Sequence, residues 1–382
     1  MIDRLVRLTL CVGLLLLSLT PLAPGYAQDD AWTCDEGPND ILNAAYAARD
    51  AGDLDTALAL AGEAQTVCAD NLSRTVEVFT LLGELNRLRQ PTPVPVDPPD
   101  YGDIRFGEGS TTMRLLDVYV PDDAEELVPV ILLLHGLPGT KESRAWEAVE
   151  LARYGFGAVT ITWRPPGYGI EHSIGDPLCA VAWIHAHGAD YGLDPDRIAV
   201  WGVSGSGWAA ATIATLDDPA LFMDDCDYPL PDGEWVDAVV VMSGLLPYFE
   251  GAEGMYLNNS WRLDGWFLNV DREDVPAAIA PLTLPPAEWD EAAWEPETLK
   301  IAQTYGPYWA DPTDPPVLFM HGTEDTTVSI EAAQYYADYY VSVGIEVVPV
   351  WVEGMGHGPG SGGEFASAAL PIYLFLVQHL AG

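Results

Sequence analysis

Short apolar runs alternate with helical stretches through most of the chain after residue 130. The runs are rich in Val, Ile and Leu and are continuously apolar. Such runs are typical of parallel strands covered on both faces, and the helices between them are typical of crossover connections. Strands are expected at 130–134, 158–162, 198–201, 236–242, 317–320 and 347–352, and helices at 144–154, 177–191, 209–216 and 370–380. The pattern predicts an α/β fold with a mostly parallel sheet and helices on both faces.

The chain before this region has a different pattern. Residues 39–68 carry small apolar residues at helical spacing on both sides of a Gly-Asp turn, which predicts a helical hairpin, and 71–90 predicts one more helix. The hairpin resembles a single tetratricopeptide unit, which cannot bury its own face. The small residues where that repeat packs its two helices are Ala45, Ala57 and Ala64. We therefore expect a small all-α segment at 28–90 that packs on itself or on the larger domain, with binding of a protein partner as the alternative.

Composition marks the boundaries of the larger domain. Residues 91–100 are Pro-rich, which is typical of an extended and semi-rigid linker. Opening strands are expected at 103–106 and 114–120, so the α/β domain is assigned to 101–382. Within it, the alternation breaks at about 245–315, a stretch rich in Pro, acidic residues and aromatic rings.

The first 27 residues have the pattern of a secretory signal. Arg4 and Arg7 form a positive start, 8–19 form an apolar core, and Gly25-Tyr26-Ala27 fits a small-x-small cleavage site. The apolar core is short for a membrane span, so we expect cleavage and a secreted or periplasmic protein. A retained N-terminal anchor is the alternative.

Export changes the interpretation of the cysteines. Apart from Cys11 in the signal, the chain contains Cys34, Cys68, Cys179 and Cys226. An even number in an oxidising compartment predicts two disulfides. A helical hairpin brings its first and last residues to one end, which favours Cys34–Cys68 and leaves Cys179–Cys226 by elimination. The spacings contain no C-x-x-C pair, so no metal site is expected.

The net charge excludes some kinds of partner. Lys and Arg number 16 against 58 Asp and Glu, which gives a formal charge of −42. Such a charge repels nucleic acid and anionic lipid surfaces. The chain contains no Walker loop, no dinucleotide-binding Gly fingerprint and no H-E-x-x-H motif. We therefore expect a small-molecule partner and no cofactor.

One turn has the sequence of a nucleophile elbow. An apolar strand at 198–201 leads through Gly202-Val203-Ser204-Gly205 into a helical stretch. This strand–turn–helix context lifts one Ser hydroxyl off the backbone and requires small residues two positions on either side. Gly202 satisfies that requirement, and Ser206 stands where Gly is usual. Ser204 is the candidate nucleophile.

Two other strands also end in Gly-rich loops that hold one reactive group each. Asp325 follows the strand at 317–320, in the string His321-Gly-Thr-Glu-Asp325, and His357 follows the strand at 347–352. His357 is the candidate base, with His172 as its rival, and Asp325 is the acid that orients it. We interpret His135 and His321, in strand-end His-Gly turns, as structural.

The chain order Ser, Asp, His resembles that of the α/β-hydrolase superfamily, from about residue 101 to the C-terminus. The resemblance implies a catalytic triad of Ser204, Asp325 and His357, and an oxyanion hole of two backbone N–H groups. Gly205 supplies one donor and Leu137 the other, with Gly136 as second choice. It also implies that 245–315 is a lid, in which Trp261 and Trp266 face the acyl or alcohol site.

These residues predict a secreted serine hydrolase, class EC 3.1.1, that cleaves carboxylic esters through an acyl-enzyme. The chain resembles secreted esterases of the dienelactone-hydrolase and hormone-sensitive-lipase-like groups, although His-Gly-Leu-Pro-Gly replaces the His-Gly-Gly-Gly loop of the latter. The enzymatic alternatives are a peptidase of the prolyl-oligopeptidase type and an acyltransferase. The non-enzymatic alternative is an adaptor on a degenerate hydrolase body, which would be favoured by loss of a triad member.

Overall fold

An eight-stranded sheet forms the centre of the larger domain. The computed structural model describes residues 33–34, 40–67, 81, 97–107, 112–165, 168–247, 280–284, 286–358 and 363–380. The strands are β1 (Tyr101–Arg105), β2 (Leu115–Tyr119), β3 (Val128–Leu134), β4 (Gly157–Thr162), β5 (Leu193–Val203), β6 (Ala238–Met242), β7 (Val317–Gly322) and β8 (Val347–Val352). Their order in the sheet is β1-β2-β4-β3-β5-β6-β7-β8. β1, β2 and β4 pair antiparallel, and the pairs from β4 and β3 through to β8 are parallel.

Helices cover both faces of this sheet. They are α3 (Ala145–Arg153), α4 (Ile170–His187), α5 (Gly205–Ile213), α6 (Pro296–Gln303), α7 (Gly306–Trp309), α8 (Ile330–Val343) and α9 (Gly363–Leu380), preceded in the chain by α1 (Ile41–Asp50) and α2 (Leu54–Val67). Along β5, Val200 faces a core shared with α4, α5 and α8, whereas Ala199 and Trp201 face a second core shared with α3 and α9. Because both faces are buried, the successive residues 198–201 of β5 are all apolar. The predicted α/β fold is confirmed.

The start of α4 differs from the sequence prediction. The sequence pattern predicts a helix over 177–191, which starts at Pro177. The helix instead begins at Ile170 and holds Pro177 inside it. The buried Asp176 of this helix pairs with Arg164 at 2.6 Å, at the carboxyl end of β4. The two additional turns thus supply the carboxylate that anchors the loop after β4.

The disulfide between Cys179 and Cys226 is present, with a Cα–Cα distance of 5.6 Å. It joins α4 to the loop before β6, and this confirms the prediction made by elimination. Arg164 bridges the same two segments, since it also pairs with Asp225 at 2.8 Å. Removing such a crosslink typically costs about 2–5 kcal/mol.

The predicted helical hairpin corresponds to α1 and α2. Asp40 caps α1 by accepting a hydrogen bond from the Leu42 backbone N–H, at 3.0 Å. The two helices share a small apolar cluster, whose members include Ile41, Leu42, Ala45, Ala57, Ala61 and Ala64. Cys34 is disulfide-bonded, but Cys68 lies outside the described residues, so the Cys34–Cys68 pairing stays a prediction. The signal at 1–27 and most of the expected helix at 71–90 also lie outside them.

None of the helices in the described part of the chain is long and apolar enough to cross a membrane.

Asp314, in the turn before β7, makes stability depend on pH. Burial raises its pKa from 3.8 to about 7, and Asp311, Asp217 and Glu234 add to the rise, although the Asp311 backbone N–H opposes it by donating to the carboxylate. Between about pH 4 and pH 7 the folded chain therefore holds a proton that the unfolded chain has released. The stabilisation from this raised pKa is complete below pH 4 and is lost as the pH rises through 7.

Asp314→Asn is therefore expected to raise the thermal unfolding midpoint at pH 8, where the wild-type carboxylate is charged among other acids. The increase in the unfolding midpoint should become smaller toward pH 4, because the protonated Asp314 side chain resembles Asn. Thermal unfolding at the two pH values measures this, with Asp338→Asn as the control, since Asp338 is an exposed acid of α8. An equal gain at both pH values, or an equal gain in the control, would contradict the assignment.

Candidate active site

Ser204 lies on a strained turn between β5 and α5. Its φ of 54° is in a region that non-glycine residues rarely adopt, and its ψ is −122°. A Cβ at Gly202 would approach the Ser206 backbone oxygen to 2.4 Å and the Ala210 Cβ to 2.7 Å. Glycine is therefore required at that position. The turn holds the Ser204 side chain clear of the helix, as a nucleophile elbow does.

Ser206 is accommodated where a glycine is usual. Its side chain is buried, and its hydroxyl lies 3.0 Å from the carbonyl oxygens of Leu134 and Val203. The same oxygen accepts a hydrogen bond from the Val203 backbone N–H, at 2.9 Å. The hydroxyl thus ties the elbow to the end of β3, and it explains why a small polar residue is tolerated here.

The loops after β7 and β8 bring Asp325 and His357 to Ser204. His357 Nε2 lies 2.9 Å from Ser204 Oγ, and His357 Nδ1 lies 2.8 Å from Asp325 Oδ2. The Asp325 side chain is 0% exposed, whereas that of His357 is 25% exposed. This is a continuous hydrogen-bonded line from a hydroxyl through an imidazole to a buried carboxylate. Such a line can raise the nucleophilicity of the hydroxyl.

Asp325 is surrounded by hydrogen-bond donors. Its Oδ1 accepts from the backbone N–H groups of Thr327 and Val328, at 2.8 and 2.9 Å. Its Oδ2 faces His357 and also His321, whose Nε2 lies 3.1 Å away. Burial by itself raises the pKa of Asp325, but the hydrogen bonds from His321, His357 and the Val328 backbone outweigh burial and lower the pKa well below its usual range. The carboxylate is therefore charged at neutral pH.

The loop after β3 lies directly against the elbow. A Cβ at Gly205 would approach Leu137 Cγ to 2.7 Å, and a Cβ at Gly136 would approach Ser204 Cβ to 3.1 Å. The start of this loop is anchored by Trp163, whose Nε1–H donates to the His135 backbone oxygen at 3.2 Å. The three candidate oxyanion residues, Gly205, Leu137 and Gly136, thus lie beside the nucleophile.

Ser243 also supports the site, and the sequence analysis missed it. It follows β6 with a φ of 44°, and its Oγ accepts a hydrogen bond from the Gly358 backbone N–H, at 3.1 Å. Gly358 is the residue after His357, so this contact fixes the loop that carries the imidazole. No motif marks Ser243, because its role depends on a backbone conformation that appears only in the fold.

The remaining candidates are His172, Trp261 and Trp266. His172, the rival base, lies in the first turn of α4, where its Nδ1 is 3.8 Å from Asp225 Oδ2. Trp261 and Trp266 lie outside the described residues. In the described part of the 245–315 segment, aromatic rings pack on one another, including Trp289 and Trp294 at 5.5 Å. The described residues contain no group of His, Cys, Asp and Glu that could hold a metal ion.

Part of the chain is similar in sequence to known proteins. A family model described as BD-FAE matches residues 116–260, which include Ser204. The chain is also similar to the probable carboxylic ester hydrolase LipM of Mycobacterium tuberculosis, with 28% identity over 248 residues that cover 62% of this chain and 51% of that protein. The chain thus spans about half the length of this curated relative.

Solved structures share the fold. A truncated carbohydrate esterase from gut microbiota has a TM-score of 0.56 and 18% identity, over 76% of this chain and 100% of that chain. Thermogutta terrifontis esterase 2 phosphonylated by sarin has a TM-score of 0.55 and 19% identity, over 76% of this chain and 99% of that chain. With the sheet order described above, these likenesses show that the chain has the α/β-hydrolase fold.

Proposed function

We propose that this α/β-hydrolase chain is a serine esterase that cleaves carboxylic esters through an acyl-enzyme on Ser204. The observation that carries the proposal is the line of hydrogen bonds from Ser204 through His357 to Asp325, with distances of 2.9 and 2.8 Å. All three members of the proposed triad are present, which disfavours an adaptor on a degenerate hydrolase body. The similarity to a carboxylic ester hydrolase supports the substrate class.

In the acylation half-reaction, Ser204 Oγ attacks the ester carbonyl carbon while its proton passes to His357 Nε2. The imidazolium that forms is stabilised by Asp325, which accepts the Nδ1–H. The tetrahedral intermediate then collapses: the bond from the carbonyl carbon to the alcohol oxygen breaks, and His357 returns the proton to the alcohol. Deacylation repeats the sequence with water in place of Ser204. Both half-reactions use only protein groups, substrate and water.

The negative charge on the carbonyl oxygen needs two donors that are already in place. The Gly205 N–H, at the first residue of α5, is one, and the Leu137 N–H is the other, with Gly136 as the second choice for that role. The close approach of the Leu137 side chain to Gly205 supports this pairing, because the two backbone segments face the same space beside Ser204. Fixed backbone donors of this kind contribute about 3–4 kcal/mol each to transition-state stabilisation.

The proposal also includes export of the chain and a lid over the active site. Residues 1–27 direct export, and the Cys179–Cys226 disulfide supports an extracytoplasmic location, since disulfides persist in oxidising compartments. The segment at about 245–315 acts as a lid, and Trp261 and Trp266 within it select the acyl or alcohol group. Trp289 and Trp294 pack on each other and against the core that the sheet shares with α4, α5 and α8, so they attach this segment to the domain.

A substrate panel tests the proposed class. The purified chain lacking residues 1–27 is assayed on nitrophenyl esters of increasing acyl length and on aminoacyl nitroanilides. We expect turnover of the esters, and little of the amides, because amide leaving groups need more activation than an alkoxide or phenolate. Preferential cleavage of the anilides would favour the peptidase alternative. Faster release of nitrophenol on addition of an alcohol, with the acyl group recovered on that alcohol, would favour the acyltransferase.

A further inference from the structure

His321 is a buried imidazole that lies against the proposed acid, Asp325. It is the penultimate residue of β7, four residues before Asp325, and its side chain is 0% exposed. Its Nε2 lies 3.1 Å from Asp325 Oδ2, the same oxygen that lies 2.8 Å from His357 Nδ1. The line of contacts from Ser204 therefore continues through Asp325 to a second imidazole.

The proton of His321 is located by its neighbours. Its Nε2 faces two acceptors, Asp325 Oδ2 and the Val328 backbone oxygen at 3.2 Å, so Nε2 carries the hydrogen. Its Nδ1 is buried and has no hydrogen-bond partner within the described parts of the chain. A hydrogen on Nδ1 would leave a buried donor unsatisfied, which is unfavourable. The single Nε2–H of His321 is therefore shared between the Val328 backbone oxygen and the carboxylate.

This donor completes the set around Asp325. A carboxylate offers about two acceptor sites on each oxygen. Both sites of Oδ1 are used by the backbone N–H groups of Thr327 and Val328. At Oδ2, the His357 Nδ1–H occupies one acceptor site, and His321 Nε2 faces the other. Without His321, the backbone contacts would still hold Oδ1, but Oδ2 would be restrained only by the imidazole that it is meant to orient.

We propose that His321 is a positioning residue that fixes Asp325 Oδ2 through its Nε2–H and thereby holds the His357 imidazole toward Ser204. The proposal rests on the esterase function proposed above, in which His357 is the base. His321 itself touches no reacting atom. Loss of His321 is therefore expected to lower kcat and not to change KM, because a misplaced base impairs proton transfer without altering the surface that binds the ester.

Two pairs of variants separate positioning from packing. His321→Phe keeps a ring and removes the donor, while Phe319→Leu perturbs the core on the same strand and the same face without touching Asp325. His321→Gln places an amide N–H about where Nε2 lies, whereas the shorter His321→Asn reaches only as far as Nδ1. The Gln and Asn variants have the same chemistry and differ in reach, so they remain informative if the Phe variant does not fold.

We expect His321→Phe and His321→Asn to lower kcat by about 10²-fold, the size of effect of a catalytic group displaced by about 1 Å, with KM nearly unchanged. His321→Gln should recover most of the lost kcat, and Phe319→Leu should retain wild-type kcat while it remains folded. In an Asp325→Ala background, His321→Phe should cause no further loss, because the group that it positions is already absent. Equal kcat values for the Gln and Asn variants, or additive losses with Asp325→Ala, would overturn the proposal.

A spectroscopic measurement keeps this test independent of ester turnover. In chain labelled with ¹⁵N-histidine, the proton shared by His357 Nδ1 and Asp325 should give a downfield NMR resonance that is assigned by its loss in His357→Ala. We expect it to shift and exchange faster in His321→Asn than in His321→Gln. If the wild type hydrolyses no ester, the proposed function fails, and this comparison still decides the role of His321. An unchanged resonance in both variants would overturn that role.

Discussion

Ser204→Ala is expected to lower kcat for ester hydrolysis by about 10⁶-fold, by analogy with serine proteases in which the nucleophile was removed. The hydroxyl is the group that bonds the carbonyl carbon, and its oxygen lies 2.9 Å from the base. His357→Ala should cost a similar amount, because the hydroxyl then keeps its proton at neutral pH. The Ser204→Ala/His357→Ala double variant should be no worse than either single variant, since the groups act as a unit. Initial rates on a nitrophenyl ester measure all three.

The matched control for this experiment is Ser342→Ala. Ser342 is an exposed serine of α8 whose hydroxyl donates to the Tyr339 backbone oxygen, at 2.6 Å. It should keep wild-type turnover, and it should also keep labelling by a fluorophosphonate probe, which Ser204→Ala should lose. Far-ultraviolet circular dichroism should be the same for both variants. A probe that labels the wild type on any residue other than Ser204 would overturn the proposed mechanism.

The sequence predicts the strands well because of how the sheet is buried. β6 is covered on both faces and all of its residues are buried and apolar, so the run stands out without an alignment. The order of the strands is harder to predict. β2 lies next to β4 and not next to β3, although β3 follows it in the chain. This arrangement depends on which edges pair, and the local pattern of β2 carries no information about that.

Some site residues are marked by local sequence motifs, and others are not. Ser204 is marked by the elbow, and Asp325 and His357 are marked by Gly-rich loops at strand ends. His321 and Ser243 act through side-chain contacts that depend on the path of the turns, so their positions in sequence indicate nothing. The interpretation of His321 as structural agrees with its contact with the Val328 backbone oxygen. It omits the contact with Asp325.

Asp325→Asn is expected to lower kcat by about 10⁴-fold, the loss that follows this change in a serine-protease triad. Four N–H groups surround the wild-type carboxylate, two from the backbone of Thr327 and Val328 and two from His357 and His321. An amide offers one acceptor oxygen and one donor NH₂ group. If the oxygen keeps the backbone pair, the NH₂ group must face His357. His357 then accepts through Nδ1 and carries its proton on Nε2, where it cannot take a proton from Ser204.

Glu324→Gln is the control for the loss of one negative charge in Asp325→Asn. Glu324 is the adjacent acid and is exposed, so its change should alter kcat by no more than about twofold, as expected for a surface substitution. Asp325→Asn should keep its KM, because the tautomer of His357 affects proton transfer and not the binding of the ester. The two variants are compared over the acyl series at one pH. If Glu324→Gln loses as much activity as Asp325→Asn, then net charge near the site, and not the tautomer of His357, limits the reaction.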